Sequence, residues 1–180
     1  MVYIALLRGI NVVGRNQVVM AELRAMFVRL GFAGAQSLLQ SGNVVFSATG
    51  TTAPKLEQFL ESETHKRFKF PVRYFVRTAA DLKRIISRNP FRREATEDAS
   101  RLIVFFFRTA PTQEAAQRLR AAIQGREMFS VDGKAAYVYY PDGQGRSKVG
   151  STVVERFLAS SGTGRNWNTV TKLMAIADAI

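Results

Sequence analysis

Three stretches of the chain gather arginine, asparagine, serine and glycine where packing alone does not call for them. They are Arg8-Gly9-Ile10-Asn11-Val12-Val13-Gly14-Arg15-Asn16, Gln40-Ser41-Gly42-Asn43, and Thr163-Gly164-Arg165-Asn166-Trp167-Asn168-Thr169-Val170-Thr171-Lys172-Leu173. Guanidinium groups neutralise anions, and carboxamides orient polar groups through a donor and an acceptor on one side chain. In the third stretch, Asn166 or Asn168 is placed to cap a helix. The first-turn N–H groups of that helix, beside Arg165, would make an anion site. Each stretch also has a structural account. Gly9 and Gly14 can simply shape a loop, Ser41-Gly42-Asn43 a turn, and Trp167 can be core. One sequence does not show that the three meet in space.

A fourth stretch, Gly143-Gln144-Gly145-Arg146-Ser147-Lys148-Val149-Gly150, lies between an expected strand and an expected helix, where phosphate loops occur. It fits neither the G-x-x-x-x-G-K-[ST] pattern nor the dinucleotide fingerprint, which needs a small residue where Lys148 stands. A turn carrying a solvated lysine accounts for it, and Lys148 is kept as a candidate cation.

Other chemistries are excluded. The chain has no cysteine, hence no disulfide framework, thiolate nucleophile or Cys-ligated metal. His65 is the only histidine, read as a surface residue half a turn from its helix's apolar stripe, which removes His-based triads and multi-His metal sites. Most of the 14 acidic residues fall on expected outer helix faces or in turns, against a paired-carboxylate centre. No metal and no cofactor is implied.

A chain of 180 residues makes one large domain or two small ones packed closely, burying roughly 70% of the surface its unfolded form exposes. Its 47% apolar content is that of a globular core. The N-terminus lacks the basic-then-apolar order of a signal peptide, and no run approaches the ~20 apolar residues of a membrane helix. The expectation is a soluble, cytoplasmic protein with no membrane partner. A net charge of +12 raises nucleic acid as a partner. The 26 basic residues, however, are spread along the chain, with Lys66-Arg67-Phe68-Lys69 the densest cluster.

The elements that must position the polar stretches follow from periodicity. Residues 2–7 read as a buried strand. Leu23, Met26, Phe27 and Leu30 share one helical face, and Gly31 stops that helix. Two apolar runs flank Ser41-Gly42-Asn43 as a hairpin. Pro54 opens a second helix with Leu56, Phe59 and Leu60 inward, and 72–77 is a strand. Thr78 to Asp81 is a capping box for a third helix, with Leu82, Ile85 and Ile86 inward, and 92–100 reads as an exposed loop. Residues 101–108 are a strand buried on both faces. A helix from Thr109 and Pro111 to Gly125 follows, then strands 128–131 and 134–140 about Asp132-Gly133, and helices near 151–159 and 168–178. The fold class is α+β: a ferredoxin-like βαββαβ N-terminal half, then a second ferredoxin-like βαββα half with C-terminal helices. The expected subdomains are 1–77 and 78–180. The same topology raises RNA recognition, but Gly42-Asn43-Val44-Val45-Phe46 lacks the aromatic run such domains use.

Leu7-Arg8-Gly9-Ile10-Asn11-Val12, Gln40-Ser41-Gly42-Asn43-Val44-Val45-Phe46 and Arg165-Asn166-Trp167-Asn168-Thr169-Val170-Thr171-Lys172-Leu173 resemble the hallmark stretches of the "domain of unknown function 1697" family. Asn89-Pro90-Phe91 and Gly145-Arg146-Ser147-Lys148 resemble its weaker motifs, in the same order. Val13 departs from the pattern, standing where the family usually has the first of two glycines. The resemblance implies an α+β fold with ferredoxin-like halves and lends weight to Arg8, Asn11, Ser41, Asn43, Arg165, Asn166 and Asn168 as a shared site. It supplies no reaction.

Three readings remain open. The first is a small anionic or phosphorylated ligand, with Arg8, Arg165 and Lys148 neutralising charge and Asn11, Asn43, Asn166 and Asn168 orienting polar groups. The others are a nucleic-acid-binding module and a protein-interaction or assembly domain. Oligomeric state and enzymatic status are not readable.

Overall fold

The computed structural model describes residues 1–12 and 14–180; Val13, and with it the departure noted there, lies outside the described residues. The chain forms two compact units, Met1–Lys83 with Lys172–Ile180, and Arg84–Thr171.

In the first unit the order is β1 (Val2–Arg8), α1 (Met20–Arg29), β2 (Gln36–Leu38), β3 (Asn43–Ser47), α2 (Ala53–Phe68) and β4 (Arg73–Thr78). The sheet order is β2-β3-β1-β4, with every pairing antiparallel. This is the ferredoxin-like arrangement expected. Tyr3, Ala5 and Leu7 of β1 pack with Leu23, Met26 and Phe27 of α1 and Leu56 and Leu60 of α2. Ile4 and Leu6, on the opposite face of β1, are also fully buried. Burial on both faces is why β1 reads as an unbroken apolar run rather than an alternating one.

β4 pairs only with β1, so it is an edge strand whose outward N–H groups need acceptors. Two glutamates of α2 provide them. The Val76 amide donates to Glu57 Oε1 at 2.8 Å, and the Tyr74 amide to Glu61 Oε1 at 3.0 Å. Glu57 is therefore buried, an exception to the placing of most acidic residues on outer helix faces or in turns. Phe59 is corrected: it is 42% exposed, because the inward stripe runs through Leu56, Leu60 and Thr64. His65 is exposed, as expected.

The chain continues through α3 (Ala79–Ser87), whose expected capping box is present: the Asp81 amide donates to Thr78 Oγ1 at 3.0 Å and Thr78 donates back to Asp81 Oδ2. Residues read as a loop contain α4 (Arg92–Glu97) and a short turn at Ala99–Arg101. The Phe91 amide, held by Asn89 Oδ1 at 2.9 Å, and an Arg93–Glu97 ion pair bracket this short helix. Its lack of buried residues is why no periodicity announced it.

The second unit then repeats the first: β5 (Leu102–Phe107), α5 (Gln113–Ala122), β6 (Met128–Asp132), β7 (Ala135–Tyr139), α6 (Ser151–Phe157), β8 (Gly162–Asn166), leading into α7 (Trp167–Asp178). The sheet order, β6-β7-β5-β8, is the first unit's order shifted by four. Phe105, Phe107, Leu119, Val138, Val154 and Leu158 build its core. Gly133, at φ +55°, makes the expected β6–β7 turn. The structure adds β8 to the expected βαββα pattern, completing βαββαβ. Its sequence, Gly-Thr-Gly-Arg-Asn, has no apolar side chain because the strand lies on aromatic rings. A Cβ on Gly162 would come within 2.6 Å of the Phe107 ring, and one on Gly164 within 3.2 Å of Phe105. Among the described residues, no helix is long and apolar enough to cross a membrane.

Candidate functional site

In the second unit the connection from β7 to α6, residues 140–150, is tied down at several points. Gly143 and Ser147 donate backbone N–H groups to Tyr140 and Gln144 carbonyls. The Tyr140 hydroxyl donates to the Val149 carbonyl at 2.8 Å, and burial holds that phenol above its usual range. Within the loop, the Val149 amide donates to Ser147 Oγ at 2.9 Å, and Ser147 Oγ in turn donates to Glu127 Oε1.

This loop forms one wall of a groove of about 550 Å³. Leu119, Val149, Val153 and Phe157 give it apolar surface. Four cations, Arg126, Arg146, Lys148 and Arg156, line it together with two carboxylates, Glu127 and Asp142. Arg126 and Asp142 pair with each other, which lowers the Asp142 carboxyl and raises the Arg126 guanidinium. Arg156 lies over the Phe157 ring, 5.5 Å from its centroid. Among the described residues Arg146, Lys148 and Arg156 make no ion pair, and Glu127 Oε2 is buried without a hydrogen-bond partner. A groove of this volume, part apolar and ringed by cations outside ion pairs, can hold a small anion with an organic body.

Of the candidate site residues, Lys148 alone lies in this groove, together with Gly143, Arg146, Ser147 and Val149 of the same stretch. The first two stretches do meet, in the first unit. Asn11, at φ +54°, donates from Nδ2 to the carbonyls of Val18 (3.0 Å) and Gln40 (2.8 Å), and accepts from the Val18 amide (2.8 Å). Asn43 is fully buried and donates to the Leu38 carbonyl at 2.7 Å and to Ser41 Oγ at 3.2 Å. Arg8 ends β1 opposite Arg73. Asn11 and Asn43 thus close the loop and the turn around them.

The third stretch lies in the second unit as far as Thr171, with Lys172 and Leu173 counted in the first. Asn166 is the N-cap of α7: its Oδ1 accepts from the Asn168 amide at 3.0 Å, while its Nδ2 donates to the Ser100 carbonyl at 2.6 Å. The Asn168 residue is exposed and Trp167 is largely buried. Arg165 is buried, donates to Thr163 Oγ1 and the Gly164 carbonyl at 2.8 Å each, and has its guanidinium pushed down to about 10 by burial. It is still charged at neutral pH. Arg77 is its counterpart in the first unit. It too is buried, sits on the strand paired with the central one (Ile4↔Arg77, Val104↔Arg165), and donates to the carbonyl of the preceding residue at 2.8 Å.

Arg126, Glu127 and Arg156 were not picked out, and Ser147 was quoted only as part of the Gly143–Gly150 stretch. They come from the β6 approach, the β7–α6 loop and α6, which are separated in sequence and meet only in the folded unit.

Two ferredoxin-like units with a basic groove on the second define the class. The chain belongs to the family described as "Protein of unknown function (DUF1697)", whose model matches residues 1–137. Among solved structures it is similar to the conserved bacterial protein SP0830 from Streptococcus pneumoniae, with 21% identity over 98% of each chain and a TM-score of 0.73, a likeness of fold. No curated protein matches the chain.

Proposed function

We propose that this protein binds a small phosphorylated or otherwise anionic ligand in the groove of its second unit. The observation that carries the reading is that Arg146, Lys148 and Arg156 line one groove outside any ion pair among the described residues. Cations gathered in this way repel one another, and an anion bound among them relieves that repulsion. The neighbouring apolar surface of Val153 and Phe157 fits the organic body of a phosphate ester. The reading is of a cytoplasmic protein, to which a chain without cysteines is suited.

The test is calorimetric titration with inorganic phosphate, a sugar phosphate and a nucleoside monophosphate at low salt, on wild type and Lys148→Ala. Saturable binding weakened about three- to tenfold in Lys148→Ala is expected, from the loss of one partly screened unit charge near the anion. No binding, or binding unchanged in Lys148→Ala, refutes the assignment. Binding confined to oligonucleotides, with a log–log salt slope of several units, would replace it with a nucleic-acid function.

A further inference from the structure

The groove holds a carboxylate in an unusual state. Glu127 faces the same groove as three cations outside ion pairs, yet forms no ion pair of its own among the described residues. Its Oε1 accepts a hydrogen bond from the Ser147 hydroxyl, and its Oε2 is buried with no partner. A buried acceptor without a donor bears its full desolvation cost, so this carboxylate is poorly satisfied where it sits. The place it occupies depends on Gly125. A Cβ at that position would collide with Glu127 Oε2 and lie 3.0 Å from its carboxyl carbon.

Ser147 is set up as a donor to an anion. Its oxygen already accepts from the Val149 amide at 2.9 Å, which leaves its single proton to be donated outward. The oxygen that accepts this hydrogen bond belongs to a carboxylate, chemically the same kind of group as a ligand's anionic end.

We infer that the Ser147 hydroxyl is the anion subsite of the groove, and that Glu127 occupies it as a built-in competitor which an incoming oxyanion displaces. The inference rests on the groove binding an anion, as proposed above. Displacement favours the ligand's side of the exchange. The incoming oxyanion gains the Ser147 hydrogen bond and the field of Arg146 and Lys148, while Glu127 swings to water and both its oxygens are solvated. Glu127 therefore sets the affinity threshold: it admits oxyanions that outcompete a carboxylate for the Ser147 hydroxyl, and the field of the groove cations favours dianionic phosphate over monoanionic carboxylates in that exchange.

Titration of inorganic phosphate and of acetate into wild type, Glu127→Ala, Glu127→Gln, Gly125→Ala and Lys148→Ala tests this, with thermal midpoints recorded for each variant to establish folding. Glu127→Ala is expected to bind phosphate about tenfold more tightly, having lost both the like charge and the occupant. Glu127→Gln, which removes the charge but leaves an acceptor on Ser147, should gain less. Gly125→Ala, whose Cβ must push the carboxylate aside, should tighten binding with the charge unchanged. Equal gains in Glu127→Ala and Glu127→Gln, with none in Gly125→Ala, would reduce Glu127 to a distant like charge and overturn the displacement. Weaker phosphate binding in Glu127→Ala would make Glu127 a ligand contact and overturn it as well. Binding lost in Lys148→Ala but unmoved in every Glu127 and Gly125 variant would leave the groove standing and remove the competitor alone. No phosphate binding by any of the folded proteins would remove both.

Discussion

Gly42 offers the sharpest test of what the Ser41-Gly42-Asn43 stretch is for. The residue sits at φ +77° in the turn between β2 and β3, where its carbonyl accepts from the Leu7 amide at 2.8 Å. A Cβ there would lie 2.6 Å from Ile10 Cδ1 and 2.8 Å from Leu7 Cβ. The Ile10 methyl is a side-chain end and can give, but Leu7 Cβ is fixed by a central strand. Alanine at Gly42 therefore carries two costs: about 1–2 kcal/mol for a left-handed backbone and about 1–3 kcal/mol for overpacking. Gly50 isolates the first, since it sits at φ +67° with nothing within 4 Å of its added Cβ. Urea denaturation followed by far-ultraviolet circular dichroism should show Gly50→Ala losing about 1–2 kcal/mol, and Gly42→Ala about 2–5 kcal/mol. For a chain of this length the difference is worth several degrees in the thermal midpoint, at about 2–4 °C per kcal/mol. Phosphate affinity should be equal to wild type in both, because the groove belongs to the other unit. Equal losses in the two variants would refute the close approach. A Gly42→Ala protein of wild-type stability that had lost ligand binding would return this stretch to the site.

Two further outcomes follow from burial. Tyr74, Tyr137 and Tyr140 all have phenols raised above the ordinary tyrosine range, with burial the largest cause. A raised folded value makes their contribution fully present below the unfolded pKa of about 10 and progressively lost above it. Stability should therefore fall in strong alkali, and ultraviolet titration of phenolate should show these three ionising only as the protein unfolds; their ionisation in the native state would contradict the packing. Gly162→Ala, whose Cβ would meet both the Phe107 ring at 2.6 Å and the Phe106 carbonyl at 3.0 Å, should destabilise by about 1–3 kcal/mol in the same denaturation assay, and a neutral result would argue against β8 lying flat on these rings.

The parts of the fold that announced themselves are those whose burial leaves an apolar signature. β1 and β5 are buried on both faces and read as unbroken apolar runs, and α1 shows its period through Leu23, Met26 and Phe27. β8 left no such trace, because it fills its place with glycine under Phe105 and Phe107; the apolar atoms of that contact belong to another strand. Glu57 was hidden for a related reason. Its carboxylate closes the open edge of β4, a role set by pairing partners more than fifteen residues away and invisible to helical periodicity. Asn11, Asn43 and Asn166 stood out as residues that packing does not demand. Their amides hold backbone groups in place, and a sequence shows the amide without the carbonyl it bonds.

The repeat itself separates architecture from function. Arg165 drew attention as a lone cation before the last helix, but Arg77 stands at the same register in the first unit with the same bond to the preceding carbonyl. A feature that occurs in both halves is accounted for by the repeat, as the way a strand of this kind passes into its helix. What one half has and the other lacks needs its own explanation. From β3 to α2 the chain takes five residues, 48–52, and α2 then runs for 16. From β7 to α6 it takes eleven, 140–150, and α6 runs for only 7. The added loop brings Arg146, Ser147 and Lys148 to the groove, and the shortened helix brings Arg156. A long loop held by buried bonds and bearing unmatched charge is costly to keep for structure alone, since a five-residue connection closes the same topology in the other half. The asymmetry between the halves therefore falls where the cations do, and that is where a ligand should be sought.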